Sequence, residues 1–242
     1  MPEQMMQRRR SAGVNKRGNP ERTQLAILDA ALAEFAENGF GGGRIEVIAA
    51  NAGVNKQALY YHFESKDGLF AATLEHAYKI ARSFDAQDGH AGMTPVERLK
   101  LLVSSFFDNM RRNQHIVALV SEENRLRGRH LSARQFAAEI NGPFVSRVRD
   151  IYEQGVQDGM FRPGIDPRQL WITIVSVSQF YFSNIYTMSG VLDRELTSEA
   201  SIRERKEHIT DFIISGLMWR GAEASESDRP RPASIGSRRR RD

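Results

Sequence analysis

Apolar residues recur along this chain every three or four positions, the spacing of one face of an α-helix, and no stretch alternates as a strand does. Leu25, Leu28, Leu32 and Phe35 form the first stripe and predict a helix over 21–38, just after Pro20. Gly39 closes it, since a glycine takes the left-handed conformation that often ends a helix. "GFGGGR" then turns the chain into a short helix over Ile45–Asn51, and "AGV" turns it into a second, opened by Asn55. An asparagine there can accept from the first free amides of the helix. Ser65 can cap a fourth helix over 66–84, with Leu69, Leu74 and Tyr78 among its apolar positions.

After a break at "DAQDGHAGM", Thr94, Pro95 and Glu97 read as a capping box with proline at the first helical position. The helix it opens is striped by Leu99, Val103, Phe106 and Met110. Ser132 and Gln135 make a second such box, for a helix reaching about residue 157 that Pro143 should kink or split. Asp166 and Pro167 open a long apolar helix through Met188, and Ser201 with Glu204 opens the last, which stops at Gly221. The sequence therefore predicts an all-α chain of about nine helices, three small ones in front of a larger bundle. Its expected divisions are a basic arm over 1–20, a front domain over 21–66, a helical domain over 67–221 and a disordered tail over 222–242.

Composition narrows the function classes. The 242 residues are 40% hydrophobic and 26% charged, enough apolar material for a sizeable core. There is no cysteine, which excludes disulfide scaffolds and thiolate metal sites. The basic start "MPEQMMQRRR" leads into no apolar run, and "LWITIVSVSQFYF" is interrupted by Ser176, Ser178 and Gln179, so neither a leader nor a membrane span is expected. A cytoplasmic protein is the expectation. The net charge of +4 is unevenly placed. Arg8, Arg9, Arg10, Lys16, Arg17 and Arg22 crowd the first residues, and six arginines crowd the last, leaving the body between them slightly acidic. Basic arms beside a near-neutral body suit a polyanion partner, while solvated tails are the plainer reading, above all for "RPRPASIGSRRRRD".

The two short helices joined by a glycine turn, with a longer helix in front, fit a helix-turn-helix whose small core is Ala49, Ala52, Val54, Leu59 and Phe63. Gly53 can take a positive φ in the turn. The second short helix then presents Lys56, Gln57, Tyr60, Tyr61 and His62, residue types that reach phosphates and base edges in a major groove. Spacing alone leaves a small helical hairpin edged by amphipathic aromatics equally open.

Residues 26–70, "AILDAALAEFAENGFGGGRIEVIAANAGVNKQALYYHFESKDGLF", carry the patterns A-x-x-x-F-x-x-x-G-F, I-A-x-x-A-G-V and L-Y-Y-H-F-x-S-K. With its flanks over 22–75, this run resembles the DNA-binding domain of the TetR/AcrR family of bacterial transcriptional regulators. The resemblance implies a recognition helix over 55–62 in which Asn55, Lys56, Gln57 and Ala58 face bases, while Tyr60, Tyr61 and His62 divide between phosphate and groove. It likewise brings Lys66 to a phosphate and Arg44 to the DNA backbone, beside an N-terminal arm that includes Lys16 and Arg17. The family usually has threonine or serine where this chain has Gly43, a residue that caps the helix and bonds a phosphate. Gly43 can still cap, but it offers no hydroxyl, and the glycine run offers a close backbone approach instead.

The rear half, around "GIDPRQLWITIVSVSQFY", is similar to the pyrimidine-utilisation regulator branch of that family. That similarity implies a ligand-responsive repressor acting as a homodimer on a pseudo-palindromic operator, with the helices over 167–188 and 202–220 pairing across the two-fold. Ile209, Phe212, Ile213, Gly216 and Leu217 are the apolar face expected there, with packing inside one chain as the alternative. Gln179 lies amid Trp171, Val175, Phe180 and Phe182, and a buried amide needs partners; a small polar effector can supply them, as can the mate of a dimer. Tyr78, Phe106, Met110, Trp171, Tyr181 and Tyr186 are further pocket candidates, each equally at home in a plain core. Arg125, Arg127 and Arg129 can meet an anionic effector or simply line a solvated helix end.

Two rivals remain. One is a sequence-neutral nucleic-acid binder working through its arms, whose affinity collapses with salt. The other is an enzyme, which finds no phosphate-cradling glycine loop, no H-E-x-x-H and no nucleophile elbow here. The nearest acid–base grouping is His115 with Glu122 and Glu123. No catalytic residue, cofactor or metal is expected.

Overall fold

A computed structural model describes residues 19–82, 92–130 and 142–218; the predicted box at 132–135, Lys16, Arg17 and the arginine tail lie outside them. The described chain is all-α. In order its helices are α1 (Pro20–Gly42), α2 (Ile45–Asn51), α3 (Lys56–Phe63), α4 (Lys66–Arg82) and α5 (Pro95–Arg112), followed by α6 (Gln114–Arg125), α7 (Gly142–Gln157), α8 (Pro167–Ser183), α9 (Ile185–Leu192) and α10 (Glu199–Leu217). Among the described residues there is no strand, only an isolated bridge between Phe161 and Met218. No described helix is long and apolar enough to cross a membrane.

Local signals set most of the boundaries. Thr94 and Glu97 form the reciprocal capping box, with Pro95 in the first turn. The Asp166 carboxylate accepts from Arg168 N–H at 2.9 Å and opens α8, and Ser65 Oγ accepts from Gly68 N–H at 3.0 Å in the first turn of α4. Gly39, at φ 67°, breaks α1 where the sequence predicts its end, but the chain resumes helix through Gly42. The long helix expected through Met188 breaks at Asn184, whose side chain turns back to the Phe180 carbonyl at 3.1 Å. The last helix is capped by Ser198, not opened by a box at Ser201 and Glu204. Ser201 is buried and donates to the Glu195 carbonyl, while Glu204 is held by Arg194.

The chain forms two compact units, which among the described residues comprise 19–80 with 115–130, and 81–82, 92–114 with 142–218. The first is built on Ile27, Phe35, Ile48, Leu59, Leu69 and Phe70, all fully buried. The Phe70 ring stands edge-on to Phe35 at 5.0 Å and to Phe40 at 5.1 Å. Each such buried side chain stabilises by about 1.5–3 kcal/mol relative to exposure. Leu25, placed on the predicted stripe of α1, is instead exposed. In the second unit α10 packs on α5 and α8, and α5 also on α7. Leu99, Val103, Phe106 and Met110 all point inward, as their spacing predicts.

Candidate nucleic-acid interface

The first unit holds α2 and α3 by their inner faces. Ile48 and Ala49 on α2 and Leu59 and Phe63 on α3 are buried, and Gly53 makes the turn between the helices at φ 69°. Ala52 and Val54 close this small core only in part. Asn55 Oδ1 accepts from Ala58 N–H at 2.7 Å and fixes the start of α3. Its side chain is thus committed to the cap, while Lys56 and Gln57 beside it are exposed. Tyr61 is 85% exposed, an unusual position for so large a ring. Ala58, Tyr60 and His62 are half-buried, with the His62 ring 5.5 Å from Tyr61 and 6.1 Å from Phe63.

Three of the predicted cations have partners within the protein. Lys56 Nζ lies 2.6 Å from Glu46 Oε1 on α2 and 5.9 Å from the Tyr60 ring centroid. Their hydrogen bond holds the Glu46 carboxyl below its ordinary range and raises the Lys56 ammonium. Lys66 Nζ donates to the Gly41 carbonyl at 3.3 Å and sits over the Phe40 ring at 5.1 Å. Arg44 is a third: its exposed guanidinium pairs loosely with buried Glu34, Nε to Oε1 3.9 Å, and its backbone N–H donates to the same oxygen at 3.0 Å. The N-cap of α2 is Arg44 itself, without a side-chain cap, so Gly43 does not cap. Gly43 is buried, and a Cβ there would stand 2.5 Å from Phe35 Cδ1. Packing against that ring, rather than an open approach for the backbone, is what demands glycine.

Sequence reasoning missed Glu34 and Glu46. Glu34 had a signal, a lone carboxylate on the buried side of α1 beside Phe35. Glu46 had none, because its pairing with Lys56 arises only when α2 and α3 fold together.

Two of the three arginines at the end of α6 and just after it are paired within the first unit. Glu122 accepts from Arg125 and from Phe40 N–H at 2.9 Å, and Arg129 pairs with Asp67 at 2.7 Å. His130 is buried between Glu123, 2.8 Å from its Nδ1, and Asp67, 3.2 Å from its Nε2, with Phe40 and Phe70 rings each 4.8 Å away. Arg125 and Arg129 are therefore occupied by carboxylates and offer no cluster for an anionic effector, and Glu122 and Glu123 are engaged away from any acid–base pairing with His115. Among the described residues no group of three His, Cys, Asp or Glu side chains is placed to hold a metal.

The Arg125 hydrogen bond, aided by the Phe40 amide and opposed by burial, holds the Glu122 carboxyl below its ordinary range. A carboxylate with a lowered folded-state pKa adds stability above its unfolded pKa and loses it as pH falls through the folded value. Glu122→Gln is accordingly expected to make acid unfolding begin from a lower plateau and fall less steeply, as read by circular dichroism between neutral and acidic pH.

The predicted effector residues do not gather. Phe106 and Met110 are core residues, Phe106 stacking on Phe144 at 5.0 Å. Tyr186 is 80% exposed, and Tyr78 lies on α4 in the first unit. The polar side chain that α8 buries completely is Ser178, not Gln179, which is half-buried one residue on. Ser178 shares the inward phase with Ile174, Tyr181 and Phe182, whereas Gln179 and Trp171 flank it. Of the dimer candidates, Ile209, Ile213 and Leu217 are buried within the protomer because that stripe of α10 packs on α5 and α8. Phe212 and Gly216 are exposed.

Residues 27–73 match the family described as "Bacterial regulatory proteins, tetR family", and residues 95–213 match "Tetracyclin repressor-like, C-terminal domain". The chain is 33% identical over 197 residues to the HTH-type transcriptional repressor NicS of Pseudomonas putida, covering 81% of this chain and 93% of that one. It is 29% identical over 199 residues to the HTH-type transcriptional regulator RutR of Escherichia coli K12, covering 79% and 89%. RutR is the pyrimidine-utilisation regulator, of the branch that the rear half resembles. The solved structure of the ketosteroid transcriptional regulator KstR2 of Mycobacterium tuberculosis shares the fold, with a TM-score of 0.56 at 21% identity over 81% of this chain and 95% of that one.

Proposed function

Because this chain belongs to the TetR family of bacterial regulatory proteins, we propose that it is a sequence-specific, ligand-responsive repressor that acts in the cytoplasm as a homodimer on a pseudo-palindromic operator. The observation that carries this reading is the outward face of α3. Lys56, Gln57 and Tyr61 stand exposed on a helix whose other face is locked by Leu59 and Phe63. An exposed tyrosine and glutamine on a rigid helix suit phosphate and base-edge contacts in a major groove.

One α3 offers too few base contacts for a unique genomic site, so the reading requires two, set about 34 Å apart on successive major grooves. The outward faces of α8 and α10 supply the dimer contact in this account. Ile172 on α8 and Phe212 on α10 are large apolar side chains left exposed, and Gly216 lets a partner helix approach closely. This replaces the buried Ile209, Ile213 and Leu217. A small molecule in the second unit then favours a conformation whose half-site spacing no longer matches, which requires it to bind the two states unequally.

Gln57 reads a base, in this account, and Lys66 and Tyr60 hold phosphates. Gln57→Ala is expected to cost about 1–3 kcal/mol on the preferred operator and to relax preference at one base position per half-site. Lys66→Ala should weaken all sequences alike and lower the salt slope by about one. Fluorescence anisotropy on an operator and its single-base variants separates the two. An unaltered sequence preference in Gln57→Ala would remove that residue from the reading.

A further inference from the structure

In the second unit a cavity of about 330 Å³ opens between the end of α8, α9 and the start of α10. Its walls include Phe180, Met188 and Leu192, and its inner side includes Tyr181, Leu196 and Ser201. The volume is at the lower end of what small-molecule sites occupy. Most polar groups around it are already bonded. Tyr181 O–H donates to the Leu196 carbonyl at 2.7 Å, and Ser201 O–H to the Glu195 carbonyl at 2.8 Å. Arg194, also on the lining, is paired with Glu204.

Arg205 is the exception. Its Nη2 donates to the Val177 carbonyl at 3.1 Å and its guanidinium lies 6.0 Å from the Tyr181 ring centroid. Among the described residues its buried Nε has no hydrogen-bond partner and its guanidinium pairs with no carboxylate. Burial pushes this guanidinium below the usual arginine range. A half-buried cation with no paired carboxylate among the described residues, beside a cavity walled by exposed phenylalanine and leucine, carries both an electrostatic and an apolar deficit. One molecule can meet both: an anion planar enough to take parallel N–H bonds from a guanidinium, attached to an apolar body.

We propose that this cavity binds a small organic monocarboxylate, its carboxylate on Arg205 and its apolar body against Phe180, Met188 and Leu192. Glu204, held by Arg194, and His208 also line it, leaving Arg205 as the one lining guanidinium without a paired carboxylate among the described residues. The inference deepens the ligand-responsive reading above, since it names a chemical class for the ligand and a place for it.

Thermal unfolding of the full chain with benzoate and with hexanoate, against benzamide and hexanamide, tests it without DNA. The melting temperature should rise with carboxylate concentration and not with the neutral amides. Comparison of the two acids shows whether a flat or a flexible body is preferred. Arg205→Met should weaken the interaction by about tenfold or more, the loss of a charge-assisted paired contact. Leu192→Glu, at an exposed wall position, should repel the same acids while leaving the helical content unchanged. Equal shifts from acids and amides, no shift from either acid, or binding that survives both substitutions would overturn the proposal. A dimer that dissociates in Arg205→Met, with no acid binding to the parent chain, would also overturn it and assign Arg205 to a partner's carboxylate. If the acids bind as described but leave operator affinity unchanged, the site stands and its role as the effector site does not.

Discussion

Gly43→Thr is expected to lower the free energy of unfolding by about 2–3 kcal/mol, the upper part of the range for overpacking a close-packed interior. The new Cβ would stand 2.5 Å from Phe35 Cδ1 and 2.7 Å from Cε1. Phe35 has nowhere to go, being fully buried with Phe70 edge-on at 5.0 Å and Phe40 at 6.3 Å. Backbone preference is not the reason, because Gly43 has φ −61°, which any residue adopts. Urea unfolding should show a lower midpoint at unchanged slope. Phe35→Leu placed behind Gly43→Thr should recover part of the loss, since residues in contact do not add independently. A Gly43→Thr protein of undiminished stability that merely binds DNA less well would move the glycine from packing to the nucleic-acid contact. The family's hydroxyl at this place is thus excluded here by the neighbour on α1, and Glu34, bonded to the Arg44 amide, steadies the entry to α2.

Phe212→Glu is expected to produce a monomer in sedimentation velocity and to reduce operator affinity by about 10²–10⁴, the advantage of two linked binding units over one. Phe212 is 64% exposed, so its replacement takes little from the protomer's own core and the helical content should persist. Ile213→Glu, one residue along, gives the opposite signature. Ile213 is buried, and an unpaired carboxylate placed there costs several kcal/mol and unfolds the unit. A Phe212→Glu protein that stays dimeric and keeps its affinity would remove the outward face of α10 from the dimer.

The comparison of these two neighbours shows where sequence is informative and where it falls silent. Helix starts were legible because caps are local: Asn55, Thr94 with Glu97, and Asp166 each act within three residues. The glycine turn and the outward position of Lys56, Gln57 and Tyr61 were legible for the same reason, since α3 has one clear apolar edge. Where large apolar residues fall on more than one face of a helix, the sequence gives no phase. On α8 the choice between Gln179 and Ser178 turns on one residue's rotation, and on α10 the stripe of Ile209, Ile213 and Leu217 and the exposed Phe212 look alike until α5 and α8 are in place. The break at Asn184 and the cap at Ser198 were hidden by equally plausible polar residues nearby. Long-range pairs were invisible altogether. Lys56 with Glu46 and His130 between Glu123 and Asp67 are set by tertiary packing, and no spacing rule reaches across 63 residues.

The His130 arrangement also ties the residues after α6 to the start of α4. Phe40 joins both parts of this contact, its ring tilted against His130 at 4.8 Å while its amide is held by Glu122. The support of α3 therefore comes from the whole first unit and not from the two short helices alone.

The central claim is sequence-specific recognition by a two-fold dimer, and selection of binding sites from random double-stranded DNA by the full chain at physiological salt tests it most directly. The account predicts an enriched motif made of two inverted half-sites about one helical turn apart, with one half-site position losing its preference in Gln57→Ala. Recovery of no symmetric motif, with affinity that depends on salt but not on sequence, would contradict it.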